Sequence, residues 1–282
     1  MASNKYVDLH IHSYYSDGSM SPHDIITSAL ENKVGILAIA DHATIEGSLE
    51  IRDLCVENGI TCIPAVEIDT LDGHNNVHVL AYGFDISSEF FIQFIQNIRF
   101  LVDEFSVKLI EAMCNDFSNI TLPDYMDFSH EKGLGGWKAL HYFVAKGLAA
   151  TLKEGIRFYS QYGRNYDRSG YPSIPVVCYR IKKAGGYSVL AHPGETIGDL
   201  RGDDFAAELK RIMSMGLDGI ECYYPKHTPE ITKSCLAMCH EKNLLITSGS
   251  DCHGVFGGAN IGKLKVCLDD LALNGLLPVK EH

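Results

Sequence analysis

Residues 7–12 alternate apolar and polar side chains, which predicts a β-strand with one buried face. Side chains on a strand point alternately to its two faces, so His10 and His12 leave the strand on the same side. Two imidazoles in that arrangement reach one cation, and imidazole nitrogen is a common ligand of zinc and other first-row divalent metals. The same pattern also arises by chance at strand ends, so it indicates a metal site only if further ligands lie near it.

Apolar runs and helical patterns alternate along most of the chain. The runs predict further strands at 36–40, 61–66, 77–82, 187–191, 217–221 and 244–248. This alternation is typical of βα units around a parallel sheet. Residues 86–171 break it with a series of helical patterns. We therefore expect an α/β domain formed by residues 1–85 and 172–282, into which residues 86–171 are inserted as a helical lid.

The composition limits the partners that such a chain can have. No apolar run approaches the ~20 residues that a membrane-spanning helix needs, and no apolar signal segment follows residues 1–5, so we expect a cytoplasmic protein without a membrane partner. The formal net charge of −12 argues against binding of long nucleic acid. The nine cysteines include no C-x-x-C pair, so we expect buried, reduced thiols rather than disulfides.

Side chains that bind metals recur where the predicted strands end, with one more at the start of the strand at 77–82 and one in the first loop. They are His10, His12, Asp17, His42, Glu67, His78, His192, Asp251 and His253. The active site of a parallel βα barrel forms at the carboxyl ends of its strands. Nine nitrogen and oxygen ligands exceed the needs of one tetrahedral ion, so they predict two or three ions with Glu67 as a bridge. Because the set contains no cysteine, a thiolate site is excluded.

The order of these motifs resembles the PHP family, named for its polymerase and histidinol-phosphatase members. The H-x-H strand is followed by Asp41-His42, then by Glu67, by the sequence AHPG around His192 and by GSDCHG around Asp251. The likeness covers nearly the whole chain. It is greatest for the stand-alone bacterial phosphoesterases, which begin with H-x-H-x-x-x-S-D-G and carry a helical insert. That group includes 3′,5′-nucleoside bisphosphate phosphatases and a 5′-to-3′ exoribonuclease.

The resemblance implies a distorted, TIM-like (β/α)₇ barrel with three divalent metal ions, for which manganese, zinc and iron are the candidates. It implies three ligand sets, namely His10, His12, Glu67 and Asp251 for the first ion, Asp17, His42 and His253 for the second, and Glu67, His78 and His192 for the third. Adjacent ions ~3.5–4 Å apart would lower the pKa of a bridging water, and we predict the resulting hydroxide as the nucleophile. The expected reaction is hydrolysis of a small phosphomonoester, possible substrates being nucleotides such as a 3′,5′-bisphosphate or AMP, with phosphate as a product.

Further residues are candidates for catalysis or for contact with the substrate. A histidine in the segment after residue 221 resembles one near the substrate phosphate in the group, so we expect His227 to contact phosphate or to act as a general acid. Asp41 is expected to orient a metal ligand. The insert of bisphosphatase relatives carries an R-P-H segment where this chain has residues 135–141. The candidates to replace its arginine, or to bind the substrate in another way, are Lys138, Arg164, Arg168, Arg201 and Trp137. The ring of Trp137 either stacks on a base or packs in the lid.

Four alternatives remain open from the sequence. Within the same reaction class they are a histidinol-phosphate phosphatase, against which the insert argues, and an exonuclease acting on short RNA from the 5′ end. Amide hydrolysis on a barrel of the amidohydrolase type also begins with H-x-H, but a modified lysine normally bridges two metals there, where this chain has Glu67. A non-catalytic or polymerase-accessory domain does not account for a complete set of ligands.

Overall fold

The computed structural model describes residues 5–162, 166 and 169–277 as a mixed α/β structure. The strands are β1 (Tyr6–Ile11), β2 (Val34–Ile39), β3 (Thr61–Cys62), β4 (Ala65–Asp72), β5 (Asn75–Tyr82), β6 (Tyr187–Leu190), β7 (Gly219–Tyr223) and β8 (Leu245–Ser248). The helices are α1 (Pro22–Glu31), α2 (Glu46–Glu57), α3 (Glu89–Met113), α4 (Leu122–Asp127), α5 (Lys138–Ala145), α6 (Leu152–Gly155), α7 (Arg157–Gln161), α8 (Ile174–Lys183), α9 (Pro193–Ile197), α10 (Gly202–Met213) and α11 (Pro229–Lys242). Within these residues, no helix combines the length and the apolar character that crossing a membrane requires.

The strands form two sheets. In the first, β1, β2 and β3 are parallel neighbours. In the second, the order is β4-β5-β6-β7-β8, and β5 is antiparallel to both β4 and β6, whereas β6, β7 and β8 are parallel. The prediction of a parallel sheet is therefore wrong for β5. Only the turn Gly73-His74 separates β4 from β5, and so short a connection permits only an antiparallel pair.

The apolar run at 61–66 contains two strands rather than one. The chain leaves β3 at Cys62, and Pro64 lies between β3 and β4, where its missing N–H cannot continue a ladder. β4 then pairs with β5 along its whole length, with Asp69 opposite His78. Because side chains alternate along a strand, Glu67 and Asp69 lie on the same face of β4.

Backbone hydrogen bonds connect the two sheets at the carboxyl ends of β1 and β2. The N–H of Asp251, just after β8, donates to the carbonyl of His10 at 2.8 Å, and the N–H of Glu67 donates to the carbonyl of Asp41 at 3.1 Å. Segments that are far apart in the sequence therefore meet at one rim. The mixed α/β class is confirmed, whereas the closed (β/α)₇ barrel stays a prediction.

The apolar side chains pack in four clusters. One lies between strands of both sheets and includes Val7, Leu9, Ala38, Leu80, Val189 and Leu245. A second packs α1 and α2 on the first sheet, and a third packs α3, α8, α10 and α11 on the second sheet. The fourth joins α3 to the short helices that follow it, through residues such as Leu109, Met113, Tyr125, Leu140, Phe143 and Phe158. Residues 86–171 thus have apolar packing of their own, while the predicted domain boundaries stay a prediction.

Tyr82→Phe is expected to lower the free energy of unfolding by about 1 kcal/mol, because it removes a buried hydrogen bond between the sheets. The ring of Tyr82 is fully buried, and its hydroxyl donates to the carbonyl of Leu9 at 2.8 Å. Urea denaturation measures the change. Tyr179→Phe is the matched control, since that side chain is exposed and should lose nothing. Equal stability of the Tyr82 variant and the unmodified protein would contradict the role given to this bond.

Candidate metal centre

All nine ligands predicted from the sequence lie in one cluster at the rim of the two sheets. The strands β1, β4 and β5 carry His10, Glu67 and His78 respectively, and His12 directly follows the last residue of β1. The loops after β1, β2, β6 and β8 carry the others, which are Asp17, His42, His192, Asp251 and His253. Because β5 runs opposite to its neighbours, a residue near its beginning faces the same rim as the ends of the parallel strands. The reversal of β5 therefore explains the position of His78.

The two carboxylate oxygens of Glu67 divide the surrounding imidazoles into two groups. Oε2 lies 3.2 Å from Nε2 of His10, 3.2 Å from Nε2 of His12 and 3.4 Å from Nε2 of His42. Oε1 lies 2.9 Å from Nδ1 of His78 and 3.2 Å from Nε2 of His192. Glu67 is itself almost completely buried. One carboxylate thus contacts two separate sets of nitrogen ligands.

A second set of ligands gathers around His12. The ligating atoms of His12, Asp17, His42 and His253 all lie within 4.8 Å of one another. The rings of His12 and His253 are stacked with their centroids 3.9 Å apart, and Oδ1 of Asp17 lies 3.4 Å from Nε2 of His253. Asp251 faces the same region, with Oδ1 3.3 Å from Nε2 of His12.

The donor geometry fits divalent cations. Nε2 of His10 and Nε2 of His12 lie 3.1 Å apart, and two nitrogens bound tetrahedrally to one metal at about 2.1 Å would lie about 3.4 Å apart. The buried Nδ1 atoms of His42 and His192 have no hydrogen-bond partner among the described residues. Neutral imidazole and carboxylate ligands suit zinc, manganese and iron. The residues present are therefore a suitable set for such ions.

The buried carboxylates and imidazoles of the cluster shift each other's pKa strongly. Burial lowers the pKa of His12, but hydrogen bonds to Asp251 and Glu67 outweigh it and raise that pKa to about 10. Burial raises the pKa of Asp17, yet the nearby imidazoles of His253 and His42 hold it well below its usual range. The carboxylates therefore stabilise the protonated form of the neighbouring imidazoles. Binding of a metal requires neutral imidazole, so it must release these protons and weakens as the pH falls.

Backbone strain is concentrated at the same rim. Among the non-glycine residues with positive φ are Ala43 at 48°, His192 at 28° and Asp251 at 52°. Each such conformation costs on the order of 1–3 kcal/mol and persists only where its surroundings hold it. All three residues are candidate ligands or are adjacent to one. The strain is therefore located where ligand positions are set.

Glu221 is a site residue that the sequence reasoning missed. It is the middle residue of β7 and is fully buried. Its Oε1 lies 3.0 Å from Nδ1 of His10, and its Oε2 accepts the N–H of His192 at 2.8 Å. A carboxylate in this position orients an imidazole for a metal. Gly249 makes this approach possible, because a Cβ there would lie 2.1 Å from Cβ of His10. The available signal was a carboxylate near the end of a predicted strand, as for the other candidates.

Asp69 is the second residue that was missed. Its Oδ1 lies 3.4 Å from Nε2 of His78 and accepts from Nδ2 of Asn76 at 2.8 Å, and its Oδ2 lies 3.8 Å from Nδ1 of His42. The ligating atoms of His42, Asp69 and His78 are also within 4.8 Å of one another. Its position two residues after Glu67 on one strand was the signal, because both then share a face.

Asp41 supports the loop that carries Asp17, while its predicted role in orienting a metal ligand stays a prediction. Its Oδ1 accepts the N–H of Ser13 at 2.7 Å and the hydroxyl of Ser16 at 2.6 Å, and its Oδ2 accepts the hydroxyl of Ser13 at 2.6 Å. Burial raises the pKa of Asp41 to about 6. The geometry gives it a positioning role in this loop and no direct contact that would identify it as catalytic.

Both ring nitrogens of His227 lie against backbone groups, and its predicted role in phosphate contact or acid catalysis stays a prediction. Its Nδ1 lies 3.1 Å from the carbonyl of Cys222, and its Nε2 lies 3.1 Å from the N–H of Gly194. A carbonyl only accepts, so Nδ1 carries the proton and Nε2 accepts from the backbone. Burial lowers the pKa of His227, which favours this neutral form. The ring therefore joins β7 at Cys222 to the turn that follows His192.

Trp137 lies at the edge of the metal cluster. Its ring centroid is 5.6 Å from that of His42, and Cζ of Arg99 lies 5.7 Å from the indole. The glycine before it, Gly136, has φ of 79°, and its N–H donates to the carbonyl of Asp17 at 2.7 Å. A Cβ on Gly136 would lie 2.9 Å from the ring of Phe256. The insert is thus attached directly to a loop that carries a candidate ligand.

Two other predicted substrate contacts, Lys138 and Arg201, bind backbone carbonyls outside the cluster. Nζ of Lys138 donates to the carbonyl of Met126 at 3.0 Å and lies over the ring of Tyr125. Arg201 is exposed, and its Nη1 donates to the carbonyls of Gly198 and Leu200. Two further candidates, Arg164 and Arg168, lie outside the described residues. The structure therefore offers Arg99, which the sequence reasoning did not single out, as an arginine beside Trp137.

Glu221→Gln is expected to weaken metal binding and turnover by about 10-fold to 100-fold, the usual cost of losing the partner that orients a ligating imidazole. The amide keeps the size of the side chain and removes the charge beside His10. Titration with manganese, followed by elemental analysis and by phosphatase activity, measures both effects. Glu241→Gln at an exposed position is the control. Unchanged metal affinity would remove Glu221 from the support of the site.

Comparisons with known proteins agree with this geometry. A family model described as the PHP domain matches residues 8–147. The chain is 26% identical to a 5′-3′ exoribonuclease of Haemophilus influenzae, over 92% of this chain and 94% of that protein. It is 24% identical to a 3′,5′-nucleoside bisphosphate phosphatase of Chromobacterium violaceum, over 91% of this chain and 90% of that protein.

One solved structure is similar to this chain over nearly its whole length. A crystal structure from Bifidobacterium adolescentis, provisionally described as a metal-dependent phosphoesterase, is 27% identical to this chain, with a TM-score of 0.76. The match covers 95% of this chain and 94% of the other. The cluster of His, Asp and Glu side chains supplies the metal ligands that such an activity needs. The chain is therefore a metal-dependent phosphoesterase, a hydrolase of phosphoester bonds, whose residues 8–147 match the PHP domain.

Proposed function

We propose that this chain hydrolyses the phosphate monoester of a small nucleotide at a centre of three divalent metal ions. The observation that carries the proposal is the position of Glu67 between two sets of imidazoles. Its Oε2 faces His10, His12 and His42, and its Oε1 faces His78 and His192. A carboxylate that lies between two sets of ligands can bridge two adjacent metal ions.

The proposal assigns each ion to a set of side chains. The first set is His10, His12, Glu67 and Asp251, the second is Asp17, His42 and His253, and the third is Glu67, His78 and His192. The short distances within each set support this division, and His12 also lies close to the second set. Asp69 is an additional oxygen ligand near His42 and His78. Manganese, zinc and iron are the candidates, because the ligands are imidazole and carboxylate.

Ions held there would supply Lewis-acid catalysis and an activated water. The side chains around them keep the ligands in place. Glu221 accepts a hydrogen bond from Nδ1 of His10, Asp41 fixes the loop that carries Asp17, and the hydroxyl of Tyr224 lies 3.0 Å from Oδ2 of Asp251. These contacts are made by buried groups, so the ligand positions are set before any substrate arrives.

We propose that the strands close into the distorted (β/α)₇ barrel of the family and that residues 86–171 cover its mouth as a lid. The apolar cluster between strands of both sheets supports the first part. The second part is supported by a cavity of about 290 Å³ whose wall includes His42 and His78 from the α/β domain and Phe105 and Trp137 from the insert. The insert therefore contributes to the space beside the metal ligands.

The same cavity supports a nucleotide as the substrate. Besides Trp137, its wall has five aromatic side chains, which are Phe105, Tyr159, Tyr166, Tyr171 and Phe256. Nucleobases stack on such rings, and each stack contributes about 1–3 kcal/mol. A phosphate at the metal centre and a base among these rings would be parts of one molecule. The relative from Chromobacterium violaceum, a 3′,5′-nucleoside bisphosphate phosphatase, is consistent with this substrate class.

A second candidate is hydrolysis of short RNA from its 5′ end. The relative from Haemophilus influenzae, a 5′-3′ exoribonuclease, matches 94% of its own length and favours this possibility. The chain's net charge of −12 restricts the candidate to short strands, because tight binding of a long polyanion needs a basic surface.

Protein purified without chelator is expected to contain close to three divalent ions per chain. Glu67→Gln removes the charge that the two sets of ligands share, so it should lower the ion content by at least one per chain and turnover by at least about 100-fold. Elemental analysis and a phosphatase assay measure the two effects, with Glu241→Gln as the control. One ion or none in the unmodified protein, or near-normal turnover in the Glu67 variant, would contradict the proposed centre.

A substrate comparison separates the candidate functions. With manganese added, kcat/KM should be highest for nucleotides, either adenosine 3′,5′-bisphosphate or a 5′-phosphorylated dinucleotide, and at least about 10-fold lower for histidinol phosphate, which has no base to stack. A preference for the dinucleotide would support the RNA candidate over the mononucleotide. Highest activity on histidinol phosphate would overturn the nucleotide proposal and leave the phosphoesterase activity intact.

A further inference from the structure

A second cavity adjoins the metal centre on the side of α2 and α3. It has a volume of about 380 Å³, and its wall includes Tyr15, Thr44, Gln96 and Arg99. Thr44 follows His42 by two residues, and Tyr15 precedes Asp17 by two residues. Two loops that carry candidate metal ligands therefore also form this cavity. The proposed reaction at the metal centre assigns no role to it.

Arg99 brings unused hydrogen-bond donors to this cavity. Its Nε lies 3.3 Å from Oδ2 of Asp103, one turn further along α3. Neither Nη atom makes a hydrogen bond within the described part of the chain, and the side chain is 34% exposed. A guanidinium has five N–H donors in a planar fork that matches phosphate oxygens. The Nη edge of Arg99 is therefore available to an anion.

The position of Arg99 relates this edge to the metal centre. Cζ of Arg99 lies 5.7 Å from the ring centroid of Trp137, and the Trp137 ring lies 5.6 Å from that of His42. A single indole therefore contacts both the free guanidinium and a candidate metal ligand. Arg99 is therefore separated from a candidate metal ligand by one indole ring.

The negative charges near the cavity are paired or partly offset, which favours the binding of an anion. The hydroxyl of Tyr15 donates to Glu50, and Asp103 already pairs with Arg99, so two of the nearby carboxylates have partners. Glu46 also lines the cavity, but α2 begins there with no side-chain cap, and the positive end of its dipole offsets part of that charge. In addition, Nζ of Lys132 lies 4.9 Å from the ring centroid of Tyr15. The cations Arg99 and Lys132 thus both lie at the cavity wall, Arg99 as part of it and Lys132 beside Tyr15.

We infer that Arg99, with Lys132 nearby, binds a second phosphate of the substrate, one that is not hydrolysed. The inference rests on the proposed action on nucleotides. The ligand class is a nucleotide with two phosphates, in which the second is either a terminal monoester or the phosphodiester that leads to the next nucleotide. Arg99 then sets the preference for such substrates over a nucleoside monophosphate, and it takes no part in the bond that breaks.

The test compares substrates with one and two phosphates on the metal-loaded enzyme. The measured quantity is the ratio of kcat/KM for adenosine 3′,5′-bisphosphate, or for a 5′-phosphorylated dinucleotide, to kcat/KM for AMP. Loss of a charge-assisted bond of about 1.5 kcal/mol should lower this ratio about 10-fold in Arg99→Gln. Arg99→Lys should give an intermediate ratio, since it keeps the charge but not the fork. Arg180→Gln is the control, because that guanidinium lies over Phe90 and should leave the ratio unchanged.

Fluorescence provides a readout that does not depend on turnover. Trp137 is the only tryptophan of the chain, so its emission reports on ligands beside Arg99. In titrations with adenosine 3′,5′-bisphosphate and with AMP, the apparent Kd for the bisphosphate should rise about 10-fold in Arg99→Gln relative to that for AMP.

The outcomes distinguish the inference from the function on which it rests. A fall in the ratio for the bisphosphate alone, or for the dinucleotide alone, supports the inference and identifies the source of the second phosphate. A ratio that stays above one and is unchanged in Arg99→Gln overturns the inference and leaves the nucleotide function in place. If the unmodified enzyme cleaves p-nitrophenyl phosphate but neither cleaves nor binds any of the nucleotides, the nucleotide function fails and the role of Arg99 fails with it.

Discussion

The carboxylate of Glu67 is the group on which the rest of the site depends. It is buried, and five imidazoles face its two oxygens at 2.9–3.4 Å. A buried charge is costly unless opposite charges and hydrogen bonds surround it. All of the candidate ligands must therefore lie together at this rim in the folded protein. They come from segments as far apart in the sequence as β1 and the loop after β8. The sheets and their apolar clusters provide the framework that makes this possible.

A layer of buried carboxylates behind the ligands connects the framework to the site. Asp8 accepts the N–H groups of Ser250 and Gly262, Asp41 accepts that of Ser13, and Glu221 accepts that of His192. Each of these bonds joins a residue on or just after one strand to a loop that follows another strand. Because the bonds are buried, they hold the loops in place, including positions such as His192 and Asp251 where φ is positive.

Much of this arrangement could be predicted from the sequence, for definite physical reasons. Alternation along β1 places His10 and His12 on one face, and the strand-helix pattern places the other ligands at the same rim. Asp69 and Glu221 could have been found by the same reasoning, since both are carboxylates on strands that carry or adjoin ligands. The antiparallel direction of β5 was also predictable, because the turn at Gly73 is too short for a crossover.

Other features depend on contacts that a sequence does not contain. His227 is near the site in sequence and space, but its role depends on the backbone groups that its two nitrogens meet. Arg99 belongs to a long amphipathic helix, where an arginine ordinarily indicates a solvated face. Only the packing of α3 against Trp137 gives it a place beside the metal centre.

The most direct measurement of the central claim is a crystal structure of the manganese-loaded protein, with anomalous scattering recorded at the manganese edge. The account predicts anomalous peaks on both sides of Glu67, at least one bound to Oε2 together with His10 and His12, and one bound to Oε1 together with His78 and His192. Peaks that lie away from Glu67, or a single peak that leaves one of its oxygens without a metal, would contradict it.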